Sequence, residues 1–206
     1  MIAFSGLDGA GKSTQIGLLK NKLNLKGKNI LIGISGGVAV YKIASLVNYF
    51  IKYKANVKVI MTSAATEFVT PLTFGSLTGG GVYVDMFSDE VSRDVEHISL
   101  AKWADIFVLA PATANTISKV SLGLADNLLT TVIVALPSRT KVLIVPAMNS
   151  EMWKNKIIQK NISSLGVYKD KYIFMQPRVG VLACGDKGAG KIPSCEEIIK
   201  TVNNQL

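Results

Sequence analysis

Nine residues near the start of the chain, Gly6-Leu-Asp-Gly-Ala-Gly-Lys-Ser-Thr14, carry its plainest chemical signature. Glycines at that spacing turn a strand into a helix, so that backbone N–H groups can cradle phosphates. Lys12 can then reach β- and γ-oxygens, and Ser13 can ligate magnesium. Three later residues also stand out: His97, which is the only histidine in the chain, Asn149 and Cys184. An imidazole titrating near neutrality can serve as a general base, although a lone histidine is commonly a surface or core residue. Asn149 stands at a strand-to-helix turn, where asparagine caps helices. Cys184 lies in Leu182-Ala-Cys-Gly-Asp-Lys-Gly-Ala-Gly-Lys191, a glycine-rich segment that reads as an irregular flap. A cysteine there is less readily the small buried apolar residue it usually is. Cys195 reads as structural.

The elements that must position these residues alternate between strand and helix. Residues 1–23 form one βα unit, and 24–28 are a polar break. A second unit follows, with a strand over 29–35 and a helix over 38–53. Val40, Ile43, Ala44, Val47, Phe50 and Ile51 recur at helical spacing and give that helix its buried side. Short, nearly continuous apolar runs at 57–61, 105–109, 141–145 and 172–175 read as strands covered on both faces. Helical stretches are expected at 64–77, 113–122, 126–135, 150–165 and 195–204. This alternation predicts an α/β doubly wound parallel sheet, one domain over 25–206 with a βα extension at 1–24. Ser35-Gly36-Gly37, Thr62-Ser63, 111–116 and 146–149 each end a strand. Ligands of open α/β sheets bind in the crevice beyond those ends. A dinucleotide site expects an acid about 20 residues after its glycines. The hydroxyls of Thr62 and Ser63 stand there instead and suit a mononucleotide phosphate.

The chain has 206 residues, 49% of them apolar, enough for one α/β domain with a sizeable core. Its net charge of +9 comes from scattered lysines without aromatic interleaving. That pattern reads as a solvated surface and not as a nucleic-acid interface. No apolar run approaches the ~20 residues that span a bilayer, so no membrane partner is expected. The first residues read as strand and turn and not as a secretion signal. Two cysteines make neither a disulfide framework nor a zinc spacing. No metal and a reduced, cytoplasmic setting are therefore expected.

From about Leu25 to Leu206, seven stretches together resemble the flavin-dependent cysteine decarboxylases, most closely those of coenzyme A synthesis. They are SGGVAVYK (35–42), MTSAATEFVTPLTF (61–74), HISLAKWAD (97–105), APATANT (110–116), GLADNLLTT (123–131), PAMNSEMW (146–153) and LACGDKGAGK (182–191). The resemblance implies a flavodoxin-like fold and FMN bound at a subunit interface in a homo-oligomer, a trimer or trimer-based dodecamer. It implies oxidative decarboxylation of 4′-phosphopantothenoyl-cysteine to 4′-phosphopantetheine. Oxidation of the thiol-bearing carbon gives a thioaldehyde, loss of carbon dioxide gives an enethiolate, and re-reduction gives the thiol. Carried onto this sequence, the family's pattern has Gly36, Gly37 and Val38 face the flavin. Thr62 and Ser63 hold its phosphate and ribityl chain. Thr113, Ala114, Asn115 and Thr116 line it, and Ala147 lies close by. His97 becomes the base that accepts the substrate proton, and Asn149 grips the substrate carboxylate. Val181 and Ala183 flank the substrate, and Cys184 protonates the enethiolate. Asn115 keeps two readings, helix cap or flavin contact.

A peptidyl-cysteine decarboxylase that stops at the enethiol is an alternative, disfavoured by Cys184; a non-catalytic regulatory flavoprotein is another. Many bacterial members continue into a synthetase domain, so a separate phosphopantothenate–cysteine ligase is an expected partner. The opening 22 residues are similar to the start of thymidylate kinases. Phosphoryl transfer also needs a metal-binding acidic strand, an acceptor pocket and usually a cationic lid. With everything after Leu25 assigned to another fold, the P-loop reads as a structural or vestigial extension.

Overall fold

The structure, a computed structural model, describes residues 25–86 and 96–206. The expected βα extension at 1–24, with its P-loop, lies outside the described residues. The elements run β1 (Asn29–Ile34), α1 (Val40–Lys52), β2 (Asn56–Met61), α2 (Ser63–Thr66), α3 (Pro71–Thr78) and β3 (Val82–Tyr83). They continue with α4 (Glu96–Trp103), β4 (Ile106–Ala112), α5 (Ala114–Ser121), α6 (Leu128–Ala135), β5 (Lys141–Pro146), α7 (Ser150–Lys154) and α8 (Lys156–Gly166). The chain then closes with β6 (Tyr172–Phe174), β7 (Arg178–Val181), β8 (Lys187–Lys191) and α9 (Cys195–Gln205).

Six strands form one sheet in the order β3-β2-β1-β4-β5-β6, with every neighbouring pair parallel. Set aside the two-residue edge strand β3, and this is the flavodoxin-like order. Its crossover direction reverses between β1 and β4, so a crevice opens there. The sheet is buried on both faces. Ile30, Ile32 and Ile34 of β1 pack toward α1 and α9 with Val47, Phe50, Ile198 and Val202. Leu31 joins Phe107, Leu109, Ile117, Leu129 and Val132 on the opposite side. Burying apolar surface on both faces is what the unbroken apolar runs encode.

Three expected elements differ in detail. The helix expected at 64–77 is two helices, because Pro71 begins the second and pushes Thr70 into extended backbone (φ −67°, ψ 150°). The helix expected at 150–165 breaks at Asn155, whose Oδ1 accepts from the N–H of Ile157 at 2.9 Å and restarts the helix. Only the first half of the glycine-rich segment is irregular: residues 182–186 turn, and residues 187–191 form β8, which pairs antiparallel with β7. Its glycines are there for proximity. A Cβ on Gly188 would lie 2.7 Å from the Ser150 Cβ, and one on Gly190 only 2.0 Å from the Met148 carbonyl oxygen. Gly190 also sits at φ +150°, where other residues are strained. The hairpin thus rests backbone against backbone on the turn after β5, held by the Met148 N–H donating to the Gly190 carbonyl at 3.0 Å.

Candidate active site

A cavity of about 990 Å³ opens beyond the carboxyl ends of β1, β2, β4 and β5, at the upper end of ordinary ligand pockets. Its floor is the turn after β1. Ser35 is fully buried, and its hydroxyl donates to the Pro111 carbonyl at 2.7 Å while accepting the Thr113 N–H at 2.9 Å. This clasp locks the turns after β1 and β4 together. Gly36 sits so close to α2 that a Cβ would stand 2.5 Å from the Ala64 Cβ. Gly37 has no such neighbour, its nearest being the Thr113 Cγ2 at 3.5 Å. Gly36, Gly37 and Val38 all line the cavity and lead into the N-terminus of α1, where exposed N–H groups favour an anion.

Thr62 and Ser63 form the second wall. Thr62 stands at the N-cap of α2 but its hydroxyl makes no cap bond. The buried Thr62 Oγ1 has no hydrogen-bond partner among the described residues, an arrangement that costs stability unless a ligand supplies the partner. The third wall is Thr113, Ala114, Asn115 and Thr116. Thr113, not Asn115, caps α5, accepting from the Thr116 N–H at 3.4 Å. The cap reading of Asn115 is thereby overturned: its exposed side chain lies in the first turn and faces the cavity. A buried orphan hydroxyl, a glycine-tight cradle and converging helix starts fit a flavin mononucleotide.

The outer wall holds Ala147, Asn149, Val181, Ala183 and Cys184. The cap reading of Asn149 holds. Its Oδ1 accepts from the Glu151 N–H at 2.8 Å and caps α7, which fixes the amide so that Nδ2 donates to the Cys184 Sγ at 3.4 Å. The Cys184 thiol in turn donates to the Asp186 carboxylate at 3.4 Å. Both sulfur contacts lie within hydrogen-bond range for this larger atom. The result is an exposed thiol held by an amide donor and a carboxylate acceptor at the cavity mouth.

His97 is elsewhere. It lies half-buried in the first turn of α4 and lines neither this cavity nor the smaller cleft described below. Cys195 opens α9 and lines the smaller cleft, where burial pushes its thiol up. Sequence reasoning missed several wall residues, including Lys42, Lys119, Asp126 and Lys191. Lys119 pairs with Asp126, and that ammonium holds the Asp126 carboxyl below its usual range. No described group of His, Cys, Asp and Glu side chains is arranged to hold a metal ion. Among the described residues, no helix is long and apolar enough to cross a membrane.

Comparison with known proteins places the chain in context. The family model described as Flavoprotein matches residues 18–206. The chain is 44% identical over 176 residues to the coenzyme A biosynthesis bifunctional protein CoaBC of Bacillus subtilis, covering 85% of this chain and 42% of that protein. It is 42% identical to a probable phosphopantothenoylcysteine decarboxylase of Streptococcus mutans, covering 87% of this chain and 99% of the relative. Among solved structures, one of a PPC decarboxylase variant with pantothenoylaminoethenethiol superposes with a TM-score of 0.76 at 30% identity, over 87% of this chain and 98% of that one. The FMN binding protein AtHal3 superposes with a TM-score of 0.73 at 31% identity, over 87% and 96%.

Proposed function

The chain belongs to the Flavoprotein family, and on that premise we propose that it is an FMN-dependent phosphopantothenoylcysteine decarboxylase of coenzyme A biosynthesis. The observation that carries this reading is the Asn149–Cys184–Asp186 array beside a cavity whose inner walls fit a flavin. The Streptococcus relative, matched along nearly its whole length, supports the substrate.

When bound, the flavin supplies reversible two-electron oxidation. The chain's own groups do the rest. Gly36, Gly37, Val38, Thr62, Ser63, the 113–116 turn and Ala147 hold the cofactor. The Asn149 amide, its orientation fixed by capping, donates to the substrate carboxylate until that group leaves. Val181 and Ala183 of the hairpin cover the substrate and keep water out. Cys184, whose thiol donates to Asp186, delivers its proton to the enethiolate carbon, and the two electrons that make the product a saturated thiol would come back from the reduced flavin.

His97 accepts the substrate proton. Because it lies outside the cavity walls of its own chain, a neighbouring copy supplies it, and the working unit is a homo-oligomer, a trimer or trimer-based dodecamer. A separate phosphopantothenate–cysteine ligase provides the substrate in the same reduced cytoplasm, and residues 1–24 are an extension that takes no part in the reaction.

The purified protein should show flavin absorbance and release carbon dioxide from phosphopantothenoylcysteine. Cys184→Ser should still release carbon dioxide but accumulate an enethiol detectable by its mass, two hydrogens lighter than the normal product. Protein that cannot be loaded with FMN, or a Cys184→Ser variant that makes the normal product at the normal rate, refutes the assignment.

A further inference from the structure

A second, smaller cleft of about 300 Å³ adjoins the main cavity, walled by α1, the end of β8 and the start of α9. Tyr41, Lys42, Lys191 and Ile192 line both voids, so two lysines stand on the wall the voids share. Three lysines line the larger cavity. Lys119 is neutralised by Asp126, whereas Lys42 and Lys191 have no carboxylate partner among the described residues. Arg178, on the wall of the smaller cleft, is already committed to Glu197 at 2.8 Å.

Lys42 is half-buried and Lys191 is exposed. The Lys191 stem lies across β7, its Cδ 3.1 Å and its Nζ 3.7 Å from where a Gly180 Cβ would stand. Lys42 holds its ammonium 5.6 Å from the Tyr41 ring centroid. Two cationic side chains on one shared wall, neither with a carboxylate partner among the described residues, suit a dianion.

We propose that Lys42 and Lys191 anchor a phosphate monoester at the far end of the ligand that fills the main cavity. Resting on the function proposed above, that group is the 4′-phosphate of the substrate. The geometry suits it. Cys184 sits at the turn of the hairpin and Lys191 at its base, and the four strand steps from Lys187 to Lys191 span up to about 14 Å. A pantothenoyl chain worth about four extended residues covers a similar length. The monoester carries about −1.5 to −2 charges at neutral pH, matching two ammonium groups. The 5′-phosphate of FMN offers the same chemistry, so the test must separate the two.

FMN-loaded protein is titrated calorimetrically with 4′-phosphopantothenate and with pantothenate. The unsubstituted protein should prefer the phosphorylated ligand by tenfold or more, about the worth of a charge-assisted hydrogen bond, and potassium chloride should narrow the preference. Lys42→Gln and Lys191→Gln should each cut that discrimination about tenfold, with Lys→Arg restoring most of it. FMN affinity, read by quenching of flavin fluorescence, should change less than threefold. Undiminished discrimination in both glutamine variants overturns the proposal. So does a tenfold loss of FMN affinity with discrimination kept, which would assign the lysines to the cofactor phosphate. Lysine-dependent discrimination in a protein that releases no carbon dioxide from phosphopantothenoylcysteine would keep the anchor and refute only the decarboxylase reading.

Discussion

On the proposed reading Asn149 performs two tasks with one amide, capping α7 and binding the substrate carboxylate, and substitution can separate them. Asn149→Asp keeps the Oδ1 acceptor that caps α7 and replaces the Nδ2 donor with a second carboxylate oxygen. Asparagine and aspartate cap helices about equally well, so the thermal midpoint should stay within about 1 °C of the unsubstituted protein. Activity should collapse. A lost hydrogen bond to a charged group is worth about 1.5–3 kcal/mol, or about 10- to 150-fold in kcat/KM. Repulsion between two carboxylates adds to that. Asn149→Ala removes both tasks. Beyond the same catalytic loss, it should lower stability by about 1 kcal/mol through the missing cap, a fall of about 2–4 °C for a chain this size. Differential scanning fluorimetry and a carbon dioxide release assay read the two effects independently. An aspartate variant that melts as early as the alanine variant would show that the cap is not held by Oδ1. One that retains kcat/KM within threefold would show that Nδ2 does not serve the substrate carboxylate.

Gly36→Ala should destabilise the protein by about 1–3 kcal/mol through overpacking against Ala64 and weaken flavin retention, whereas Gly37→Ala should melt near the parent, because its new Cβ meets only Thr113 at an ordinary 3.5 Å; equal midpoints for the two variants would contradict the clash. Glu197 is held below its usual range first by its hydrogen bond to Arg178, so its stabilising contribution is fully present above about pH 4.5 and is lost as pH falls through the lowered value. Glu197→Gln keeps the capping-box acceptor for the Ser194 N–H but loses the ion pair. Unfolding free energies from urea titration should differ by less than about 1 kcal/mol at pH 7, given the pair's exposure, and converge as pH falls through the lowered value. A difference that persists once Glu197 is protonated in the folded protein would place the effect in the cap.

The sheet was legible because its strands are covered on both faces, and that burial leaves nearly unbroken apolar runs in the sequence. The turns at 35–37, 62–63, 111–116 and 146–149 were legible too, since a parallel strand must end in a loop at the crevice. What was hidden depended on partners distant along the chain. The hairpin strand Lys187–Lys191 carries no β-branched residue, and its pairing follows from the need to lie close to Met148 and Ser150. Nothing local distinguishes Lys42 and Lys191 from the other scattered lysines; only the folded chain brings them to one opening. Asn115 looked like a cap because an asparagine in a Thr-Ala-Asn-Thr turn can cap, and Thr113, two residues earlier, fills that role. The place of His97 could not be read at all from spacing, since a single chain does not bring it into the cavity.

Leu25 is fully buried, and the chain enters β1 at Asn29, after the Gly27 N–H has donated to the Lys54 carbonyl. That entry lies at the amino rim of the parallel sheet. All the loops that wall the cavity lie at the carboxyl rim, about 20 Å away along a six-residue strand. Whatever is spliced ahead of Leu25 joins the domain at the rim that performs no chemistry. Sequence ahead of Leu25 can therefore change without any ligand-contacting loop being cut.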